Sequence, residues 1–223
     1  MRLIASADGR RRIWYRADEI EELCASTLAS AGLIPGPPRC DVDIEALVEN
    51  YLGADVDYGM AMPSDVLGFT EFRRIPLIAV SRSLTNAATA SGAGLGTIGR
   101  WRATIAHEAA HVILHSPLFG AEAGQPGRPS IRPIRCPRTS FEAPQAARDW
   151  REVQANMGMA SLLMTREVFD REATEAFSRR GPVIPPVRAT EPWLDIVVAV
   201  LASRFKVSKQ AARIRLEVMG YIA

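Results

Sequence analysis

Apolar and small residues recur at helical spacing through Ile20, Leu23, Cys24, Thr27, Leu28 and Ala31, which predicts an amphipathic helix starting near Asp18. Asp18 with Glu21 gives a capping-box-like start, and Gly32 and Pro35 stop the helix. A Pro-rich linker, Pro35 to Arg39, leads to a second helical stripe of Ile44, Leu47, Val48, Tyr51 and Leu52, with Gly53 as its C-cap. The period then shortens. Segments 56–62, 66–72 and 76–81 are rich in Val, Ile, Phe and Tyr and separated by turn signals, so they predict an antiparallel meander of three strands. Residues 85–97 are small and Gly-rich and read as a mobile loop over whatever site follows. From Trp101 to His115 the chain is apolar or small on nearly every side, which predicts a largely buried helix ending about Ser116, before Pro117.

No period is visible from Pro117 to Ala147, a Pro-rich stretch carrying Arg128, Arg132, Arg135 and Arg138, with Arg148 close behind. A loop of that length is either functional or unstructured. Its arginines could meet an acidic substrate or nucleic acid, or simply be solvated. Helical spacing resumes at Asp149, with Val153, Met157, Ala160 and Met164 as one buried stripe and Glu152, Asn156, Met159 and Leu163 beside it. Further helices are predicted over 166–179, 192–205 and 208–219. The last pair has the length and short turn of a helix-turn-helix, and Lys206, Lys209, Arg213 and Arg215 could face phosphates. Ile196 to Leu201 is apolar nearly all round, which favours helices packed on the rest of the protein instead. The elements together predict an α+β protein, with one domain over residues 1–180 and a smaller helical subdomain over 181–223.

Composition narrows the function classes. The chain has 223 residues, 48% of them hydrophobic, and a net charge of +2, so neither a nucleic-acid-coating protein nor an acidic tail is indicated. Cys24, Cys40 and Cys136 are widely spaced and contain no C-x-x-C, so no disulfide framework or thiolate metal site is implied. The start of the chain lacks a continuous apolar signal segment and no run reaches a membrane span, so a cytoplasmic protein is expected.

All three histidines fall in the buried helix, at His107, His111 and His115. His107, Glu108 and His111 form H-E-x-x-H. Imidazoles four residues apart lie on one helix face, about 6 Å along the axis, and can share a metal ion, while Glu108 at the edge of that face can reach a water on the metal. That is the requirement of a zinc peptidase, with Zn2+ as cofactor. His115 lies roughly 12 Å along the axis from His107, too far to share its ion, and reads as a helix-end residue favoured by the C-terminal dipole. The third ligand must therefore come from elsewhere. Glu152, on the margin of a buried face, needs a partner that such an ion would supply, although alone it would read as a surface ion-pairing residue. Asn156, one turn later, could accept the N–H of a ligating histidine and fix its tautomer. The strand at 76–81 either offers a free edge to an extended peptide or is an ordinary strand. Gly94, Gly96 and Gly99 spell G-x-G-x-x-G, but neither an abutting strand nor a following acidic residue supports a dinucleotide site. Tyr58, Arg102 and the arginine-rich loop are the candidates for a donor to the reacting carbonyl oxygen.

R-x-T-I-A-H-E-x-x-H at Arg102 to His111, followed by W-R-E-V-Q-A-N at 150–156 and S-L-L-M at 161–164, resembles the ImmA/IrrE family of metallopeptidases. The resemblance implies a zincin-like fold and a gluzincin-like site, with His107, His111 and Glu152 as zinc ligands and Glu108 as general base. Gly158, Met159 and Thr165 depart from the family's usual residues, at positions that touch packing more than chemistry. It also implies a protein substrate, a helix-turn-helix transcriptional repressor whose cleavage derepresses genes. The rival expectation is a non-catalytic DNA- or protein-binding regulator with a structural or vestigial zinc site. Nothing in the sequence implies a membrane partner.

Overall fold

The computed structural model describes residues 2–5, 11–119, 134–137, 149–181 and 184–223. The protein is α+β: helices dominate, and a small mixed sheet covers one side of the central helix. The arginine-rich segment between Phe119 and Asp149 lies outside the described residues, apart from a short strand at Ile134–Pro137.

The chain opens with a hairpin that the hydrophobic pattern does not reveal, β1 (Arg2–Ala5) paired antiparallel with β2 (Arg11–Trp14). Helix α1 (Ala17–Ser30) follows and buries Ile20, Cys24 and Leu28, four residues apart along one face. Gly32 just beyond it takes a positive φ of 68°, the left-handed turn that ends a helix without Cβ strain. The second helical stripe is a short helix α2 (Ile44–Ala46) continued by one turn of π-helix (Leu47–Tyr51), with Ile44, Leu47 and Val48 fully buried.

Strands β3 (Asp55–Met60), β4 (Val66–Glu71) and β5 (Leu77–Ser81) lie close to the expected positions, but they do not form a meander. Their order is β3-β5-β4, with β5 parallel to β3 and antiparallel to β4, and β6 (Ile134–Pro137) pairs on the far side of β4. Burial accounts for the order. β5 buries four successive residues, Ile78 to Ser81, and needs strands on both edges and cover on both faces, whereas β3 is mostly half-exposed and suits an edge. The segment at 76–81 is therefore interior, and the expectation that it offers a free edge to a peptide is overturned.

The Gly-rich stretch is also largely helical. α3 (Arg82–Thr89) packs beneath the sheet, and the 25-residue helix α4 (Leu95–Phe119) begins before its last glycine. Gly99 is required by packing: a Cβ there would stand 2.6 Å from the Ser208 nitrogen and 2.7 Å from the Val207 carbonyl carbon. Past the expected end at Ser116, α4 runs on through Pro117 for its last turn, where Phe119 stacks on Phe72 with centroids 4.2 Å apart. This tertiary contact offsets the missing proline N–H.

Helix α5 (Trp150–Leu163) lies against α4, and its buried face is rotated from the expected one. Gln154, Ala155, Gly158, Met159, Ser161, Leu162 and Leu163 are buried, while Met157 is 42% exposed. The reason is Gly158, where a Cβ would stand 2.7 Å from Ala110 Cβ. A glycine turned toward a row of alanines lets the helix backbones approach, so the closest face is the one with the smallest side chains.

Helices α6 (Arg166–Ser178), α7 (Leu194–Phe205) and α8 (Lys209–Val218) complete the chain. Phe169 meets Phe205 at 5.2 Å between ring centroids, and Arg215, buried on α8, makes a paired ion contact with Glu21 of α1 and donates to the Met164 carbonyl. Lys206 pairs with Asp41 at 2.8 Å and Arg213 with Asp195 at 2.7 Å. Of the four basic residues that could have faced DNA, three are thus engaged with carboxylates of the same chain.

The packing at Gly158 makes a prediction opposite to helix propensity. Alanine is ordinarily better than glycine inside a helix by about 1 kcal/mol. Here Gly158→Ala is expected to destabilise by about 1 to 3 kcal/mol, as overpacking does. Urea denaturation of the two proteins decides it, and equal or greater stability of the alanine variant contradicts the close approach.

Candidate metal centre

Two helices supply the site. α4 carries His107, Glu108 and His111, all inaccessible to solvent, because Ile105, Ala106, Ala109, Ala110 and Leu114 around them are core residues. α5 carries Glu152 in its first turn, with its side chain 13% exposed, and Asn156 one turn on. The close α4–α5 contact brings these groups together. Glu152 places Oε2 3.2 Å from His107 Nε2 and Oε1 3.3 Å from His111 Nε2, and the two Nε2 atoms are 3.1 Å apart. Among the described residues these three form a group able to hold a metal ion. Asn156 Oδ1 lies 3.0 Å from His107 Nδ1, placed to accept a hydrogen from that nitrogen while Nε2 faces Glu152.

The separations suit an ion. Tetrahedral ligands at zinc–nitrogen distances of ~2.0–2.1 Å stand roughly 3.3–3.4 Å from one another, close to the three observed contacts. Acceptor atoms crowded this tightly in a buried place require a cation or a proton between them.

The electrostatics point the same way. Burial works against ionisation of Glu152, yet the two imidazoles hold its pKa down to about 2. Burial, aided by neighbouring His107, lowers His111 to about 4, so near neutral pH Glu152 is ionised and His111 neutral, the forms in which these groups can bind metal. Glu108 is perturbed in the opposite direction. Burial pushes its pKa up to about 8, against the pull of His107 and of Thr70, whose Oγ1 donates to Oε2 at 2.7 Å. Its other oxygen, Oε1, has no hydrogen-bond partner among the described residues, and Gly68 of β4 lets the strand lie close beside it, since a Cβ there would be 3.2 Å away. A buried carboxyl oxygen left free beside a set of metal-ligating atoms is what a water-activating base requires.

Several residues stand differently from the sequence expectation. His115 is fully buried and its pKa is lowered to about 3, chiefly by burial and then by His111, so it is neutral and the helix-dipole reading fails. A dipole argument needs an exposed cation, and three further residues of helix with the α5 contact cover this one. Tyr58 donates to Glu49 at 2.8 Å, and Arg102 is buried and donates to the Val42 carbonyl at 2.7 Å, so both are committed away from the metal-ligating atoms. Arg128, Arg132, Arg138 and Arg148 lie outside the described residues, as does the side chain of Arg135. Thr70, Gly68 and Gln154 were missed. Thr70 and Gly68 read only as strand residues until β4 is known to cross α4, and Gln154 carried a signal in the quoted W-R-E-V-Q-A-N run.

Compared with known families, residues 99–217 match the IrrE N-terminal-like domain of peptidase family M78. That span runs from near the start of α4 through nearly all of α8 and exceeds half of the 223-residue chain. No curated protein matches the chain. Among the described residues no helix is long and apolar enough to cross a membrane.

A carboxyl with a raised pKa weakens the fold as pH rises. Between about 4.3, the ordinary glutamate value, and about 8, the folded chain keeps a proton on Glu108 that the unfolded chain has lost. The stability associated with that proton is full below the lower value and is lost as pH climbs through the upper one. Glu108→Gln removes the effect, so in chelator the variant's stability advantage over the natural protein should widen steadily from pH 5 to pH 8. Urea denaturation at a series of pH values measures the gap, and a gap that stays constant contradicts a buried neutral carboxyl.

Proposed function

We propose a zinc-dependent endopeptidase, from the premise that the chain belongs to peptidase family M78 through its IrrE N-terminal-like domain. The observation that carries the reading is the convergence of His107, His111 and Glu152 within 4.8 Å beside a carboxyl, Glu108, with one oxygen uncommitted. His107 and His111 would hold the ion through Nε2, and Glu152 through its carboxylate. Zn2+ bound there supplies Lewis acidity, bringing the pKa of a water molecule to about 7 and polarising a peptide carbonyl.

The remaining work falls to the chain. Glu108 Oε1 takes the proton of the attacking water, and Thr70 holds Oε2 so that the carboxyl cannot turn away. A cation nearby lowers the Glu108 pKa from its metal-free value into the range where a carboxylate accepts a proton near neutral pH. The same carboxyl then returns the proton to the leaving amine. Asn156 keeps His107 in the tautomer that turns Nε2 inward. The walls around α4 exclude water and so strengthen each of these interactions.

The substrate we propose is a helix-turn-helix transcriptional repressor, cleaved at one site so that its genes are derepressed. Family resemblance supports it. The engagement of Lys206, Arg213 and Arg215 within the chain favours a peptidase over a regulator that binds DNA itself.

Incubation with helix-turn-helix repressors from the same genome, those of flanking genes first, provides the test. Glu108→Gln should still bind zinc but cleave at least ~100-fold more slowly, and His111→Ala should lose the metal. Cleavage by the glutamine variant at the natural rate, or an intact repressor with a shifted DNA band, would sink the proposal.

A further inference from the structure

His107 has Asn156 on its Nδ1, whereas among the described residues no amide or carboxylate reaches His111 Nδ1. Its neighbour there is the third histidine: His111 Nδ1 lies 3.0 Å from His115 Nδ1. His115 Nε2 in turn lies 3.1 Å from Gln154 Oε1, and Gln154 Nε2 lies 3.2 Å from the carbonyl oxygen of Ile13 on β2. His115 is fully buried, Gln154 is 3% exposed, and Trp150 stands edge-on to His115 with centroids 5.4 Å apart. The four groups form one line from the backbone of the first hairpin to the metal-ligating atoms.

The line has a direction, set at its far end. A backbone carbonyl only accepts, so Gln154 must turn its NH2 toward Ile13 and its oxygen toward His115. That oxygen also only accepts, so His115 carries hydrogen on Nε2. A single hydrogen fits between two ring nitrogens 3.0 Å apart. His115, with its hydrogen on Nε2 toward Gln154, presents Nδ1 as the acceptor, and the hydrogen between the rings sits on His111 Nδ1. His111 is thereby turned so that its Nε2 faces the site, 3.1 Å from that of His107.

We infer that His115 and Gln154 are positioning residues, which transmit the polarity of the Ile13 carbonyl to His111 and hold its Nε2 turned toward the metal-ligating atoms. The inference rests on the peptidase reading for its purpose, and on hydrogen-bond geometry for its content. On the other side of the ring, His111 Nε2 meets Glu152 Oε1 at 3.3 Å. Reversing the line would set Gln154 Oε1 against the Ile13 carbonyl, two acceptors facing each other in a buried place, and that opposition decides the direction.

Nitrogen-15 NMR of the zinc-loaded natural protein distinguishes the ring nitrogen that carries hydrogen from the one that does not, and only three histidines have to be assigned. The expected pattern is Nδ1–H at His111, with Nε2 on zinc, and Nε2–H at His115. A His115 that carries its hydrogen on Nδ1, or a His111 that binds zinc through Nδ1, overturns the inference. His115→Phe should raise the zinc dissociation constant about 10- to 100-fold, as loss of a partner behind a ligand does. His115→Gln, whose carbonyl can accept from His111, should recover part of it. Unchanged zinc affinity in a folded phenylalanine variant also overturns the inference; if that variant does not fold, the tautomers of the natural protein decide alone. A protein with the expected tautomers but no peptidase activity defeats the functional reading only, and an active peptidase with His115 as Nδ1–H defeats this inference only.

Discussion

Helices α4 and α5 approach so closely at Gly158 that a methyl group there would stand 2.7 Å from Ala110 Cβ, and most of the candidate site depends on that approach. On α5, Glu152 and Asn156 precede the glycine by two turns and by less than one. Any residue wide enough to hold the helices at ordinary spacing would draw both away from His107 and His111. The row Ala106, Ala109 and Ala110 on the facing helix serves the same end, and Cys24 of α1 backs the contact, 3.7 Å from the Gly158 carbonyl. Gly158 is therefore a packing residue whose small size reaches the chemistry.

That packing carries a cost. Two carboxyls and three imidazoles are enclosed where isolated polar groups are strongly unfavourable. The protein meets the cost group by group. Glu152 leans on two histidines, His107 on Asn156, His115 on Gln154, and one oxygen of Glu108 on Thr70. The oxygen left over, Glu108 Oε1, is the one the proposed reaction uses. An unsatisfied atom in an otherwise satisfied network marks where folding stability and function diverge.

The candidate set was legible in the sequence because periodicity and residue chemistry are local. H-E-x-x-H declares a helix face by itself, and Glu152 and Asn156 share a second face one turn apart. The sheet order was not legible, since the choice between β3-β4-β5 and β3-β5-β4 depends on which strand can be buried on both faces. The alanine- and glycine-rich run before Trp101 looked like a loop because small residues signal flexibility locally, whereas Gly99 is small in order to meet Val207 and Ser208, far along the chain. His115 was misread for a related reason. Its place near a helix end suggested an exposed cation, and only the α5 contact makes it buried and neutral. The opening hairpin gave no hydrophobic signal, although its Ile13 carbonyl anchors Gln154.

The account stands on one claim, that a metal ion is held between two helices and not on one. A crystal of the zinc-soaked protein, with anomalous data collected on both sides of the zinc absorption edge, tests it directly. The account predicts one strong peak in contact with His107 Nε2, His111 Nε2 and the carboxylate of Glu152. A peak that lacks Glu152, or that engages His115, would contradict it.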